Sequence, residues 1–329
     1  ARVEQAAMVV ATRNDPTNTN IAFTVREIAP GVEVLASANS PAAVDILEIA
    51  GADHVVQLGE ILGSAMAART LGLGGTSHVI GEFAGLKIAE AGVVGTQMVG
   101  RTPGDLTLRS RLGVGIIGVW QRGEFAIAMA DTELGETSML LLAGTAEQLA
   151  AFDAEYAVDQ VEARHAVIIG GGRVGRAIGA VFDGEGISFS IVEQLAERRR
   201  EGVSYVIGDA ANREILEAAG LAEASAVLIT THDDDVNVYL TRYCRGLRPE
   251  VRIVSRARLD RNVTTLYRAG ADAVLSYAGT GSASIWNQFR GDETLLVAQG
   301  LNVFRSPIPA ELVGSSLAES HVHRRTNCN

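Results

Sequence analysis

The sequence predicts an α/β fold, with doubly wound parallel sheets present as tandem copies and a small α+β subdomain after the first copy. Three observations carry this. Strand-length apolar runs alternate with helix-length stretches from His165 to Ser276, the pattern of βαβ units around a parallel sheet. A glycine turn, GGGRVG (Gly170–Gly175), follows one such run and opens a helical stretch. The chain also repeats itself at a fixed spacing of 219 residues.

From His165 onward the elements come in order. AVII (Ala166–Ile169) is the first strand, and the glycine turn and a helix follow it. ISFSIVE (Ile187–Glu193), VSYVIGD (Val203–Asp209), AVLITT (Ala226–Thr231), VRIVSRA (Val251–Ala257) and DAVLS (Asp272–Ser276) continue the series, with helical stretches such as NREILEAAG (Asn212–Gly220) between them. Residues Ser77–Phe152 read differently. Short strands, VGIIGVWQRG and EFAIAMA among them, are separated by Gly and Asp turns, as in a small α+β domain.

The repeat pairs AAMVVATRNDPTNTN (Ala6–Asn20) with SAVLITTHDDDVNVY (Ser225–Tyr239), and EIAGADHVVQLG (Glu48–Gly59) with YRAGADAVLSYA (Tyr267–Ala278). Ala7, Thr12, Asp15, Asn18, Arg26, Pro30, Gly51 and Asp53 each recur as the same residue 219 positions later. An ungapped match with shared Pro and Gly positions indicates duplication. The first copy begins partway through the unit, without the glycine turn, and the C-terminus stops abruptly; both ends read as cut.

Composition excludes several classes. Hydrophobic residues make up 47% and charged residues 20%, as in ordinary globular proteins. No apolar run approaches the ~18 residues that span a bilayer. The only cysteines, Cys244 and Cys328, have no metal-ligand spacing, which fits a reducing compartment. Net charge is −11, so a general nucleic-acid role is not expected.

The glycine turn stands where a dinucleotide-binding, Rossmann-like unit places its phosphate loop. Gly170 permits the tight turn, Gly172 lets a pyrophosphate approach the backbone, and Gly175 lets helix and strand pack. The helix N-terminus, at Arg173 and Val174, attracts the anion. Glu193 ends the next strand, where a carboxylate accepts ribose hydroxyls and favours NAD or an unphosphorylated adenosine ribose over NADP. Asp209, with Ala210 beside it, lies on the same carboxyl edge, as an adenine contact or as the N-cap of the following helix. Thr230, Thr231 and His232 end the fourth strand over the expected cleft.

Catalytic machinery is not visible. His232 is the one histidine placed at the sheet edge, and its counterpart in the first copy is Arg13. Cys244 reads as a small buried residue. Asp233, Asp234 and Asp235 are candidates for a divalent cation, or else solvated and helix-capping. His321 and His323 have no third ligand in view. An NAD-dependent oxidoreductase and an assembly domain with a vestigial pocket stand as alternatives to a ligand-sensing role.

Taken together, HAVIIGGGRVGRAIG, IVE, VIGDAANREILEAAGL, AVLITTHDDDVNVYLTRYCRGLRPEVRIVSRA and AGADAVLS resemble the RCK (KTN) family, the regulators of potassium conductance. GVVGTQMVGRTPGDLTLRSRLGVGIIGVWQRGE and MADTELGETSMLLLAGTAEQLAAF resemble its small C-terminal subdomain, and Leu301–Asn329 resembles the start of a second one. The resemblance implies Rossmann-like tandem copies, each followed by such a subdomain. These are residues 1–76 (half of a first nucleotide-binding domain), 77–157 (subdomain), 158–298 (a complete second domain) and 299–329 (a truncated subdomain). It further implies a non-enzymatic region at the cytoplasmic face of the cell membrane, regulating a potassium channel or transporter. NAD(H) or ADP/ATP would be the regulatory ligand, with Ca²⁺ in some members. Rings of such domains assemble beneath a pore-forming segment, so a chain with two copies would close the ring with four chains. By position, Gly170, Gly172, Arg173 and Gly175 would cradle phosphates, Glu193 would hold the ribose, Asp209 would lie near adenine and Arg256 would reach a phosphate. In the first copy Ser37 replaces Arg256, which puts nucleotide binding there in doubt.

Overall fold

The computed structural model describes residues 2–72, 75–121, 124–136, 138–157, 165–290, 294–297, 301–304, 307–308, 310–314 and 316. They form two compact units, residues 1–67 with 164–285 and residues 68–163 with 286–329. His321, His323 and Cys328 lie outside the described residues.

In the first unit the chain begins with β1 (Met8–Ala11), α1 (Asp15–Ile28), β2 (Glu33–Ser37), α2 (Ala42–Ile49), β3 (His54–Val56) and the start of α3 (Leu58–Gly72). β1, β2 and β3 form a parallel three-stranded sheet in that order.

The second unit holds β4 (His78–Phe83), β5 (Leu86–Gly92), the single turns α4 (Pro103–Leu106) and α5 (Leu108–Arg111), β6 (Gly115–Gln121), β7 (Glu124–Ile127), β8 (Ser138–Gly144) and α6 (Ala146–Tyr156). Its strands form an antiparallel sheet of order β4-β5-β8-β6-β7. The central β8, SMLLLAG, is buried along nearly its whole length, and Leu140 and Leu142 pack with Phe152 and Tyr156 of α6. A Thr145–Gln148 capping box starts α6.

The chain then supplies the first unit's larger sheet through β9 (Ala166–Ile169), α7 (Arg173–Gly184), β10 (Phe189–Glu193), β11 (Tyr205–Ile207), α8 (Arg213–Ala218), β12 (Ala226–Ile229), α9 (Asp234–Leu247), β13 (Arg252–Ala257), α10 (Val263–Ala269), β14 (Ala273–Ser276) and α11 (Tyr277–Arg290). The six strands are all parallel in the order β11-β10-β9-β12-β13-β14. β9 and β12, AVII and AVLI, are buried at every position, as central parallel strands covered on both faces must be. α7 buries Val174, Ala177, Ile178 and Phe182, one stripe at helical spacing. The sheet order reverses between β9 and β12, so the switch point where open α/β sheets bind ligands lies at their carboxyl ends. Beyond α11, β15 (Thr294–Val297) and β16 (Leu301–Phe304) pair antiparallel.

The 219-residue repeat is also structural. α1 spans Asp15–Ile28 and α9 spans Asp234–Leu247, the same positions in register. Arg26 donates to the Gly51 carbonyl and pairs with Asp53, whose carboxylate accepts the Val34 amide at 2.7 Å. Arg245 repeats this with Gly270 and Asp272, and Asp272 accepts the Ile253 amide at 2.7 Å. In one place the expectation of a helix between successive strands is corrected. β10 and β11 are joined only by a single 3-10 turn, Ala196–Arg198, because the intervening charged residues, Arg198–Glu201, are all exposed and offer no apolar stripe to bury.

Candidate functional site

The carboxyl ends of β9, β10, β12 and β13 converge around the glycine turn. Gly170 has φ 110°, which an L side chain rarely adopts, and a Cβ there would lie 2.8 Å from Thr230 Oγ1. That hydroxyl donates to the Ile169 and Gly170 carbonyl oxygens at 3.1 and 3.0 Å, locking the turn to β12. A Cβ on Gly175 would collide with the Gly170 carbonyl oxygen, so strand and helix meet only because this residue is glycine. A Cβ on Gly172 would meet nothing within 4 Å. Gly172 is the N-cap of α7 and brings no side chain to its first-turn amides, those of Arg173 and Val174. The backbone there faces open space with donors and the positive end of the helix dipole, the arrangement that receives an anion.

Glu193 is buried at the end of β10. Its Oε2 accepts the Gly171 amide at 2.9 Å and its Oε1 accepts the Leu195 amide at 3.0 Å. Arg198 Nη1 stands 3.4 Å from Oε2. Arg176 donates to the Gly171 carbonyl at 2.8 Å, fixing the same turn from the helix side. A Cβ on Gly171 would press on Glu193 Oε2 and on the ring of Tyr205, both at 3.0 Å. The Tyr205 hydroxyl is buried and has no hydrogen-bond partner among the described residues.

On the other side Arg256 is only 7% exposed, yet no carboxylate pairs with it among the described residues. Its guanidinium lies over the Tyr277 ring at 4.7 Å, Nη1 is 3.5 Å from the Thr230 carbonyl oxygen, and Nε has no partner among the described residues. A buried donor left unpaired is costly, and an anion at this edge would satisfy it. Burial lowers the Arg256 pKa; Tyr277 and Asp234 oppose this, and Arg173 and Arg258 add to it. Thr231 donates to Asn237 Oδ1 at 2.6 Å, and the exposed His232 follows it. Partial desolvation of the ring lowers the His232 pKa, and Arg256, Arg258 and Arg173 lower it further against Asp234. Four cationic or potentially cationic side chains thus share the mouth of the site in a chain of net charge −11.

Asp209 is exposed, Ala210 beside it is buried, and Asp209 Oδ1 accepts the Ala211 amide at 2.8 Å. The N-cap of α8 is Asn212, which corrects the capping alternative for Asp209: the carboxylate sits one turn too early to reach the helix amides. Asp233 caps α9. Asp234 accepts the Arg258 amide at 2.6 Å, the Leu259 amide at 3.2 Å and Asn262 Nδ2 at 2.6 Å. Asp235 is exposed, and among the described residues no three His, Cys, Asp or Glu side chains converge as metal ligands. In the first copy, Asn18 donates to the Ser37 carbonyl at 2.7 Å, and Arg173 Nη1 reaches the Asn39 carbonyl at 3.3 Å. Sequence reasoning missed Gly171, Arg176, Arg198, Tyr205 and Arg258. The arginine run after Glu193 was a readable signal; Tyr205 and Arg176 act through spacings no local motif records.

A family model for the TrkA-N domain matches residues 1–58 and 166–277. The GsuK RCK domain is 36% identical, with a TM-score of 0.76, over 100% of this chain and 72% of that one. The GsuK channel bound to NAD is 36% identical with a TM-score of 0.75, and the chain covers 60% of it. GsuK bound to ADP is 26% identical with a TM-score of 0.56, over 88% of this chain and 53% of that one. Probable potassium channel protein 2 of Methanocaldococcus jannaschii is 31% identical over 119 residues, 34% of this chain and 35% of that protein. A Trk system potassium uptake protein TrkA homolog of Pyrococcus horikoshii is 32% identical over 95 residues, 27% of this chain and 42% of that protein. The chain spans well under half the length of these two relatives. Among the described residues no helix is long and apolar enough to cross a membrane.

Proposed function

The chain belongs to the TrkA-N domain family, and from that premise we propose that it is the regulatory, non-enzymatic region of a potassium channel or transport system. It takes NAD(H) or ADP/ATP as a regulatory ligand in the cleft of the second copy and controls potassium flux by rearranging its domains. The observation that carries the reading is Arg256: a buried guanidinium with no paired carboxylate and no partner for Nε among the described residues, at the edge that also presents the bare first turn of α7. A diphosphate satisfies both. Solved GsuK structures with NAD and with ADP, over a shared fold, support the ligand class.

In this reading Gly170, Gly172, Arg173, Val174 and Gly175 cradle the phosphates, Glu193 faces the ribose, and Asp209 and Ala210 border the adenine. Thr230, Thr231, His232 and Arg256 close the phosphate side. The domain plan is residues 1–76, 77–157, 158–298 and 299–329. Copies associate in a ring of four chains at the cytoplasmic face of a membrane, beneath a pore segment on the same or a partner chain. Binding drives gating only so far as the ligand prefers one domain arrangement over the other. Current through the assembled channel or uptake system, recorded with and without NADH and ADP, tests the reading. Ligand-dependent flux that disappears in Glu193→Ala supports it. Flux indifferent to either ligand, or turnover of a carbonyl substrate with NADH, contradicts it.

A further inference from the structure

At the end of β10 the carboxylate that the glycine turn leads one to expect, Glu193, is buried, and the guanidinium of Arg198, from the turn that follows, stands beside it. The Glu193 side chain is 5% exposed, whereas that of Arg198, 3.4 Å from it, is 50% exposed. Both Glu193 oxygens already accept backbone amides, from Gly171 and Leu195. The carboxylate is therefore buried, held by two backbone amides and one guanidinium, with acceptor capacity left on each oxygen. The more exposed of the two charged groups at this corner is the Arg198 guanidinium. The connection carrying it keeps Arg199 and Arg200 exposed as well, between the exposed Glu197 and Glu201. Beside Gly171 and Glu193 stands Tyr205, whose buried hydroxyl has no partner among the described residues.

In dinucleotide folds an acid at this position selects a free ribose 2′-hydroxyl, and an arginine nearby accommodates a 2′-phosphate. An acid rejects the phosphate because it sets like charges together; a guanidinium beside the acid offsets that repulsion. We propose that Arg198 is the specificity-determining residue at the ribose end, and that it admits a ribose 2′-phosphate, so that the cleft takes NADP(H) and 2′,5′-ADP as well as NAD(H) and 5′-ADP. The inference rests on the nucleotide reading above and adds the substrate class of that same site. Arg198 exchanges its long contact with Glu193 for a charge-assisted bond to the phosphate, while Glu193 keeps its two amides and holds the turn in place.

Calorimetric titration of the chain with 5′-ADP and 2′,5′-ADP, in the wild type and in Arg198→Ala and Arg198→Lys, tests this. The wild type should bind both nucleotides within about tenfold of each other. Arg198→Ala should weaken 2′,5′-ADP by about tenfold to a hundredfold, the worth of a charged hydrogen bond, and leave 5′-ADP within about twofold. Arg198→Lys should restore part of the loss. Binding of 5′-ADP with 2′,5′-ADP more than about a hundredfold weaker overturns the inference and leaves the nucleotide reading standing, and so does an equal loss of both ligands in Arg198→Ala. If neither nucleotide binds the folded chain, the nucleotide reading itself fails and this inference falls with it.

Discussion

Asn237 donates its side-chain amide to the Arg256 carbonyl oxygen at 2.9 Å, tying the first turn of α9 to the end of β13. The same amide reaches the Thr231 carbonyl at 3.2 Å, so one buried side chain positions two of the residues that face the cleft. In the first copy Asn18 does the same for Ser37, at 2.7 Å. Asn237→Ala leaves buried carbonyl groups unpaired and should cost about 1–3 kcal/mol, read as a lower denaturation midpoint. Asn18→Ala should cost a similar amount. A midpoint unchanged in both variants would show that the repeated asparagine carries no structural duty.

The glycines of the turn should separate by consequence. Gly175→Ala drives a methyl into the Gly170 carbonyl and should destabilise the chain by about 2 kcal/mol or more. Gly172→Ala places its methyl in open space and should move stability by about 0.5 kcal/mol or less, while weakening nucleotide binding. Thermal denaturation beside ligand titration reads both effects. Equal destabilisation in the two variants contradicts the assigned division between packing and ligand approach.

His232 should take up a proton when the ligand binds. Partial desolvation and the nearby Arg256, Arg258 and Arg173 hold its pKa below the ordinary 6.5 in the free protein. A diphosphate among these cations offsets their repulsion and raises it. Binding then favours the protonated form, so affinity should increase as pH falls from 7 toward 5.5 and level off once the free protein is also protonated. Titration in two buffers of different ionisation enthalpy at pH 6 should register proton uptake, absent in His232→Arg. Proton release, or none, counts against the placement of the phosphates.

Cys244 should be chemically silent in the folded chain. Burial pushes its thiol up to about 12, although Arg245 pulls the other way, and the side chain has no solvent exposure. Peptide mapping after iodoacetamide at pH 8 should find it unmodified until urea is added. Labelling without denaturant would mean that α9 opens readily.

The parallel sheet and the glycine turn were legible because their signals are local: AVII, AVLI and the positive φ of Gly170 all follow from neighbouring residues. The duplication was legible because Arg26, Gly51 and Asp53 form one network whose members must be kept together, as Arg245, Gly270 and Asp272 show. The absence of a helix between β10 and β11 was not read, although Arg198–Glu201 offered the hint of an unbroken charged run. Tyr205, Arg176 and Arg258 reach the site through pairings between strands and helices that no sequence spacing encodes. The ligand roles of Asp209 and Glu193 were inferred from position alone; the backbone amides that already engage their carboxylates became visible only in three dimensions.

The central claim is that the open backbone at Gly172 receives the diphosphate of a nucleotide. Titrating ADP into the wild-type chain and into Gly172→Val, whose Cβ would meet nothing within 4 Å, addresses it most directly. The account predicts one saturable site per chain in the wild type and at least about a hundredfold weaker binding in a variant that still unfolds at the wild-type midpoint. Undiminished binding to Gly172→Val would contradict it.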